Sequence, residues 1–404
     1  MPGGSLIGRS NAHLRALCVE IQSRRVGSAG NQTASRYAAS VLHSHGFAVE
    51  TPAFECIDWK ADGASVAAGG ESFDAFPSPY SLGCRAEARL VCVATMEELE
   101  SADACGRILL LHGELAREPL MPKNFPFYNP DEHKRLIARL ESLRPAAILT
   151  AARRNPEMVG AVYPYPMFED GDFDLPSAYM TDDEGERLAG HSGHVVRVES
   201  RCERIPSTGC NVLAAKGDLD RRVVVFAHID SRIGTPGAND NASGVTALLL
   251  LAELLADYQG ELGIELVAMN GEDYYSNPGE QLYLAALAGR FEEIILGVNL
   301  DDVGYRRGRV AFSLYGIGDE TSARVRRILG RRAGLVEGPA WYQGDHGLFL
   351  MNDRPALAMT TDRLAEVMAE ITHSPRDTVD MVDPAKPVVV AQALHDLIGD
   401  LAGG

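Results

Sequence analysis

The chain has 404 residues, with 38 lysines and arginines against 56 aspartates and glutamates, which gives a formal net charge of −18. This acidic balance argues against nucleic acid or an anionic membrane surface as the main partner, because both attract clustered positive charge. The length allows two domains, or one elaborated domain, with a large apolar core.

The ends and the cysteines of the chain indicate a compartment. The first residues, MPGGSLIGRSNAHLRALCVEIQS, contain no uninterrupted apolar stretch and do not resemble a secretory signal. No segment approaches the roughly 20 apolar residues of a membrane span. The seven cysteines are scattered without a CxxC pair, which is typical of reduced thiols. The sequence therefore predicts a cytoplasmic protein with no membrane partner.

The first half of the chain changes in character at about residue 52. Residues 10–50 have a helical pattern that ends near Gly46. Between 52 and 205, RLVCVA, GRILLLHG and PAAILTA are short buried-strand patterns, and HKRLIARLESL is an amphipathic helix. No histidine and carboxylate set converges there. We predict a smaller β-rich α+β domain at 52–205, inserted between 1–51 and 206–404.

From residue 207 onward, strand and helix patterns alternate. RRVVVFAH, LGIELVAMN, EEIILGVNL and ALAMTT have the composition of buried strands, and apolar helices such as ASGVTALLLLAELLADY separate them. This alternation predicts an α/β fold with a mostly parallel mixed sheet and helices on both faces. Ligands of such sheets bind beyond the carboxyl ends of the strands.

Histidines and carboxylates follow these strand ends. They lie in HID (228–230), GED (271–273), LDD (300–302) and TH (372–373), and Asp240 precedes the helix that begins at the same edge. Asp240 alone would be explained as a favourable charge at a helix start. Burying all of these carboxylates together without cations would be prohibitive, because they could not all remain ionised. The joint placement therefore predicts a site for two divalent metal ions.

The order of HIDS, GANDNASG, NGED, NLD and a late TH with DT four residues on resembles the dinuclear zinc aminopeptidase family. That family also includes glutamate carboxypeptidase II and the transferrin receptor. The resemblance covers residues 207–404 and the RRVGSAGN segment at 24–31. It implies a fold of the zinc exopeptidase type. Residues 52–205 resemble the protease-associated domain that many members carry, through GRILLLHG and PSAYMTDDEGERL.

The resemblance also implies two Zn²⁺ ions and a role for each residue. The implied set is His228 and Asp301 on one ion, Asp273 and His373 on the other, Asp240 as the bridge, Glu272 as the general base, and Asp230 orienting the His228 imidazole. Glu272 would take a proton from the attacking water and pass it to the leaving amine. The bond between Asp240 and Asn241 is expected to be cis.

One departure from the family pattern is the Glu272–Asp273 pair, where the family commonly has Glu-Glu. In extended backbone, adjacent side chains diverge, so one can face the metal while the other faces the water. The shorter Asp273 predicts either a closer approach of the backbone or weaker binding of the second ion.

The segment WYQGDHGLFL resembles the family's Asp-His segment at the pocket wall. It makes Tyr342, Asp345 and His346 candidates for substrate contact. An equally good explanation is a turn ahead of the next element. The sequence does not predict the oligomeric state.

An aminopeptidase that removes N-terminal residues from peptides is the leading interpretation. A carboxypeptidase or other amidohydrolase with the same two metals is the alternative, although no arginines cluster near the motifs to hold an acidic substrate. A glutaminyl cyclase is less favoured, because those enzymes resemble this fold with a single zinc. A metal-free binding protein on this fold would lack ligands, and all five are present here.

Overall fold

The computed structural model describes residues 5–21, 23–342 and 344–403. The chain divides into two compact units. The first contains the residues up to Cys56 together with those from Thr208 onward, and the second contains Ile57–Ser207. Each unit has its own sheet. That the second unit is a protease-associated domain remains a prediction.

The helices, in chain order, are α1 Leu6–Arg15, α2 Ala29–Ser44, α3 Met96–Ser101, α4 Asp131–Leu143, α5 Pro156–Val159, α6 Asp182–Ala189, α7 Ser243–Leu254, α8 Pro278–Leu287, α9 Asp319–Leu329, α10 Gly347–Leu350, α11 Leu364–Glu370 and α12 Ala385–Ala402. Short π-helical turns occupy Ala16–Glu20 and Ala238–Ala242, and 3₁₀ turns occupy Phe291–Glu293 and Val379–Met381.

The strands are β1 Ala48–Glu50, β2 Ala53–Ala68, β3 Glu71–Phe73, β4 Phe76–Pro77, β5 Cys84–Val93, β6 Ile108–Leu111, β7 Ala147–Ala152, β8 Ser177–Thr181, β9 Val195–Cys210, β10 Val212–Lys216, β11 Asp218–His228, β12 Leu262–Met269, β13 Ile294–Leu300, β14 Val310–Tyr315, β15 Leu335–Glu337 and β16 Ala356–Thr361.

The sheet of the first unit is mixed, with a parallel centre. Its strand order is β1-β10-β12-β11-β13-β16-β14-β15. The neighbours β12, β11, β13 and β16 run parallel, whereas β10 and β14 pair with that group antiparallel. Residues 222–228 of β11 and all of β12 are buried, as expected for strands that are covered on both faces. The predicted α/β fold is confirmed.

Helix α7 lies at the centre of this unit. It contacts β11, β12 and β13 as well as α1, α2 and α12. Its residues from Ser243 to Ala252 are all buried. A helix that is apolar all round belongs inside a core, which explains the unbroken TALLLLA sequence. The burial of α7 fixes the position of its first residue, Ser243, which lies shortly after Asp240.

The second unit has a separate sheet with the order β3-β2-β9-β5-β6-β7-β8-β4. Strands β5, β6, β7 and β8 are parallel neighbours, and β9 pairs antiparallel with β5. Two apolar clusters hold this unit together: one contains α4 residues such as Leu140, and the other contains Leu188 of α6.

In the described part of the chain, no helix combines the length and the apolar character needed to cross a membrane. The peptide bond between Asp240 and Asn241 is cis, as the resemblance implied.

The first turn of α7 depends on a glycine. The Nδ2 of Asn241 donates to the Leu300 carbonyl at 2.7 Å, and its Oδ1 accepts from the Gly244 amide at 3.0 Å. A Cβ at Gly244 would lie 2.3 Å from the Asn241 Oδ1 and 2.5 Å from the Leu300 carbonyl oxygen. Gly244 thus permits the close approach of α7 to the end of β13.

We predict that Gly244→Ala lowers the free energy of unfolding by about 1–3 kcal/mol, because the added methyl overpacks this contact. Gly399→Ala in α12 is the matched control. No atom lies within 4 Å of a Cβ there, so alanine should be neutral or stabilise the helix by about 0.5–1 kcal/mol. Urea unfolding followed by circular dichroism measures both variants. Equal midpoints for the two would contradict the packing argument.

Candidate functional site

Residues at the carboxyl ends of three parallel strands lie at one edge of the sheet. His228 ends β11 and pairs in register with Met269, which ends β12. Asp301 directly follows β13, a neighbour of β11 on its other side. His373 follows α11, which comes after β16. The structure therefore brings the predicted segments together at the carboxyl ends of the central strands.

The first group consists of His228, Asp240 and Asp301, whose ligand atoms lie within 4.8 Å of one another. The His228 Nε2 lies 3.1 Å from the Asp240 Oδ1 and 3.7 Å from the Asp301 Oδ1. One imidazole nitrogen and two carboxylate oxygens are a ligand set that suits zinc.

The second group consists of Asp240, Asp273 and His373. The His373 Nε2 lies 3.2 Å from the Asp240 Oδ2 and 3.1 Å from the Asp273 Oδ1. Asp240 therefore presents one carboxylate oxygen to each group. This arrangement fits a carboxylate that bridges two ions.

Buried atoms without partners show that the cluster fits cations. Both ring nitrogens of His228 are buried and make no hydrogen bond. The Asp273 Oδ2 and the Asp301 Oδ1 are also buried and unpaired. Such atoms are costly unless they are satisfied, and divalent ions would satisfy the His228 Nε2 and the carboxylate oxygens together.

The close packing of these groups also shifts their pKa values. Burial would lower the pKa of the His228 imidazole, but the carboxylates of Glu272 and Asp240 raise it well above its ordinary value. Burial raises the pKa of Glu272, and neighbouring carboxylates add to the rise. Metal binding would therefore release protons from the cluster.

Buried polar side chains fix the backbone on both sides of Asp240. The Asp377 carboxylate accepts from the amides of Asn239 and Asp240, at 2.8 and 3.0 Å. The guanidinium of Arg24, which is 1% exposed, donates to four carbonyl groups. These are the carbonyls of Leu17, Ile229, Pro236 and Gly237. The loop from His228 to Asp240 is therefore held by hydrogen bonds at both of its ends.

A second set of polar contacts holds the loop of Glu272. Asp230 accepts from the amides of Gly271 and Asp273, at 2.9 and 3.0 Å. Its Oδ1 lies 3.8 Å from the His228 Nδ1, which is too far for a hydrogen bond. In this structure, Asp230 positions the backbone around Glu272 rather than the His228 ring.

Glu272 and Asp273 lie in a turn, not in extended backbone. The different directions of their side chains therefore come from the turn after β12. The prediction of extended backbone at these two residues was wrong. The Asp273 side chain is 3% exposed, whereas that of Glu272 is 30% exposed. The two acids thus occupy different environments, as a ligand and a base would require.

An arginine stands beside the second group. The Arg232 Nη1 lies 2.9 Å from the His373 Nδ1. A metal-bound histidine ordinarily finds a hydrogen-bond acceptor at its second nitrogen. A guanidinium can only donate, so Arg232 favours the His373 tautomer whose Nδ1 carries no proton. A metal on Nε2 requires the other tautomer, with the proton on Nδ1, and Arg232 therefore disfavours it.

The segment at 341–346 provides the remaining predicted residues. Tyr342 is 78% exposed, and its ring meets Tyr315 edge to face. His346 is fully buried, and its Nε2 lies 2.9 Å from the Trp341 carbonyl oxygen. Asp345 is also buried, and its carboxyl group interacts electrostatically with that of Glu272. Substrate contact by these three residues remains a prediction.

Sequence reasoning left several of these supporting residues without a role. Arg24 and Asp377 do lie inside the quoted RRVGSAGN and DT segments, so the motif blocks were a usable signal for them. Arg232 carried no such signal, because its partner His373 is distant in sequence.

Comparison with solved structures shows the fold. The aminopeptidase from Aneurinibacillus sp. strain AM-1 superposes with a TM-score of 0.73 at 21% identity, over 97% of this chain and 93% of that one. The zinc aminopeptidase BSAP from Bacillus subtilis gives a TM-score of 0.75 at 18% identity, over 98% and 94%.

Sequence comparison finds a relative and a match to a family profile. The probable lipoprotein aminopeptidase LpqL of Mycobacterium tuberculosis is 24% identical over 291 residues, which are 69% of this chain and 54% of that protein. The chain thus spans about half the length of this relative. Residues 211–398 match the profile of peptidase family M28, and these residues contain every candidate metal ligand and Glu272. Over these residues the chain is similar to peptidase family M28.

Proposed function

We propose that the protein is a metal-dependent aminopeptidase that uses two zinc ions. The single observation that carries this proposal is the sharing of Asp240 between two ligand groups, one oxygen to each. His228 and Asp301 would hold one ion, and His373 and Asp273 the other. The match of residues 211–398 to the profile of family M28 and the fold shared with aminopeptidases support the same activity.

Each residue at the site has a task in peptide hydrolysis. Two bound zinc ions would polarise the scissile carbonyl and lower the pKa of the attacking water. Glu272, on the partly exposed side of the turn, takes the proton of that water and later donates it to the leaving nitrogen. Asp230 holds the amides on both sides of Glu272, so the carboxylate stays directed at the site.

The second ion is expected to bind less tightly than the first. Asp273 is one methylene shorter than the family's usual glutamate, and Arg232 disfavours the metal-binding tautomer of His373. Partial chelation should therefore remove the ion of the His373 group first.

A carboxypeptidase or another amidohydrolase with the same metals is the second candidate activity, because the metal groups alone do not select the end of the peptide. The cytoplasmic location expected from the sequence remains a prediction.

A panel of aminoacyl chromogenic substrates tests the proposed activity. Each free substrate is paired with its N-blocked form and with a peptide that is followed for C-terminal release. We expect cleavage of the free substrates only, its loss with a chelator and its return with zinc. Cleavage of blocked or C-terminal substrates alone would overturn the aminopeptidase assignment in favour of the second candidate.

Neutralising the adjacent acids one at a time separates base from ligand. Glu272→Gln leaves every candidate ligand in place but removes the proton acceptor, so turnover should fall by about 10²–10⁴ while zinc content stays near wild type. Asp273→Asn replaces an anionic ligand with a neutral amide, so activity lost at low zinc should return at least partly in excess zinc. Metal analysis and a zinc titration of both variants provide the readouts.

Each variant serves as the control for the other, because both remove one negative charge from the same turn. A loss of one zinc equivalent in Glu272→Gln would show that the assigned roles are reversed or mistaken. So would an inactive Asp273→Asn that keeps both ions.

A further inference from the structure

Two segments that carry ligands of the first group run beside each other. One contains Asp240 and the other contains Asp301, and both of these carboxylates would hold the same ion as His228. The two segments are far apart in sequence, and neither ligand lies in a regular helix or strand. Contacts between the segments must therefore set the separation of the two carboxylates.

Side chains that follow Asp240 join the two segments on one side. The Asn241 Nδ2 donates to the Leu300 carbonyl at 2.7 Å. The Ser243 hydroxyl accepts from the Gly304 amide at 3.1 Å. A Cβ at Gly304 would lie 2.6 Å from the Ser243 Cβ, so the segments approach closely there. The C-terminal side of the bridging carboxylate is therefore held against the segment of the other ligand.

On the N-terminal side of the bridge, the joining contact is made by Asn239 and Asp302. The Asn239 Nδ2 donates to the Asp302 Oδ1 at 2.5 Å, and both residues are buried. The Asn239 Oδ1 is buried without a hydrogen bond, so the contact with Asp302 orients the amide group. The backbone amide of Asn239 donates to Asp377 at 2.8 Å. Three chain segments therefore meet at Asn239.

The backbone of Asp302 suits this contact. Its φ is 54°, in the left-handed region that aspartate and asparagine enter more readily than most residues do. Asp302 directly follows the ligand Asp301, so this residue both permits the turn after the ligand and supplies the acceptor for Asn239. Without that acceptor, the buried amide of Asn239 would be left unpaired, which is costly.

We propose that Asn239 and Asp302 are a positioning pair, which fixes the separation of the two carboxylates that the first zinc ion needs. These carboxylates, Asp240 and Asp301, each adjoin one member of the pair in sequence. Neither member of the pair belongs to a ligand group, so its effect passes through the backbone beside each ligand. The inference rests on the proposed function, because it requires a two-zinc site.

Loss of the contact should weaken the first ion more than the second. Two of the three candidate ligands of the first ion, Asp240 and Asp301, lie on the joined segments. The second ion takes only Asp240 from them. Residues that orient metal ligands typically contribute about 10–100-fold to metal affinity. The affinity of the first group for zinc is therefore the quantity that the pair should control.

Three variants test the pair. Asn239→Ala removes the donor. Asp302→Gly removes the acceptor, and glycine adopts a positive φ without steric cost. Asp302→Asn removes the charge but keeps a carbonyl oxygen that can accept, and asparagine also suits this φ. Asn124→Ala is the control, because it breaks another contact between an asparagine amide and an aspartate, that of Asn124 with Asp172 at 3.0 Å in the second unit.

Zinc binding to the first group is measured in full-length protein that also carries His373→Ala. This change removes a ligand of the second ion, and competition with a chelating indicator then gives the Kd of the first. We expect Asn239→Ala and Asp302→Gly to raise this Kd by about 10–100-fold. Asp302→Asn and Asn124→Ala should leave it near the value of the His373→Ala protein. In protein that carries His228→Ala instead, the same variants should change the Kd of the second ion less.

Three outcomes would overturn the proposal. One is an Asn239→Ala protein that is folded by circular dichroism and binds zinc as tightly as the His373→Ala protein. Another is an Asp302→Asn protein as impaired as Asp302→Gly, because the charge and not the hydrogen bond would then matter. The third is an equal loss of affinity for both ions. If Asn239→Ala does not fold, the contrast between the two Asp302 variants still decides.

Failure of the proposed function gives a different result. A wild-type protein that binds two zinc ions but cleaves no aminoacyl substrate would refute the aminopeptidase activity, and the zinc constants would still decide the role of the pair. A wild-type protein that binds no zinc would overturn both the two-zinc site and the positioning pair.

Discussion

The site depends on the Asp240 carboxylate, which reaches two imidazoles with different oxygens. Its Oδ1 lies 3.1 Å from the His228 Nε2, and its Oδ2 lies 3.2 Å from the His373 Nε2. His228 ends a central strand, whereas His373 follows α11, and this carboxylate belongs to both ligand groups. The amides of Asn239 and Asp240 donate to the Asp377 carboxylate, which fixes the backbone at Asp240. A displacement of Asp240 would therefore disturb both groups at once.

Polar side chains, rather than apolar packing, hold the loops at this edge of the sheet. A loop that is buried to form a site must pair its backbone amides and carbonyls, because unpaired groups are costly. Arg24 donates to carbonyls of the loop between His228 and Asp240. Asp377 accepts from amides at Asp240, and Asp230 accepts from amides of the Glu272 turn. Asn270 and Asn31 exchange hydrogen bonds of 2.8 and 2.9 Å beneath the Glu272 loop. The position of each functional group is thus set by buried polar residues outside the two ligand groups.

The central strands and the convergence of their ends could be predicted from the sequence, because buried parallel strands are continuous apolar runs and their carboxyl ends share an edge. His228, Asp301 and the Glu272–Asp273 pair follow from that rule. The partner of Asp230 did not follow, because the two amides it accepts from belong to a turn over forty residues away whose shape the sequence does not specify. Arg232 was missed for the same reason, since its contact with His373 is set by tertiary packing and not by spacing.

The hydrogen bonds of Arg24 also define the smallest piece of this chain that can form the site. The family-matched residues 211–398 contain all the candidate ligands and Glu272, but Arg24 and Asn31 lie some 180 residues before that range. A fragment cut to the matched range would bury the carbonyls of Ile229, Pro236 and Gly237 without the donor that now satisfies them. It would also leave Asn270 without the partner on α2. The folding unit of the site is therefore discontinuous, and its boundary lies well outside the segment that the family profile matches.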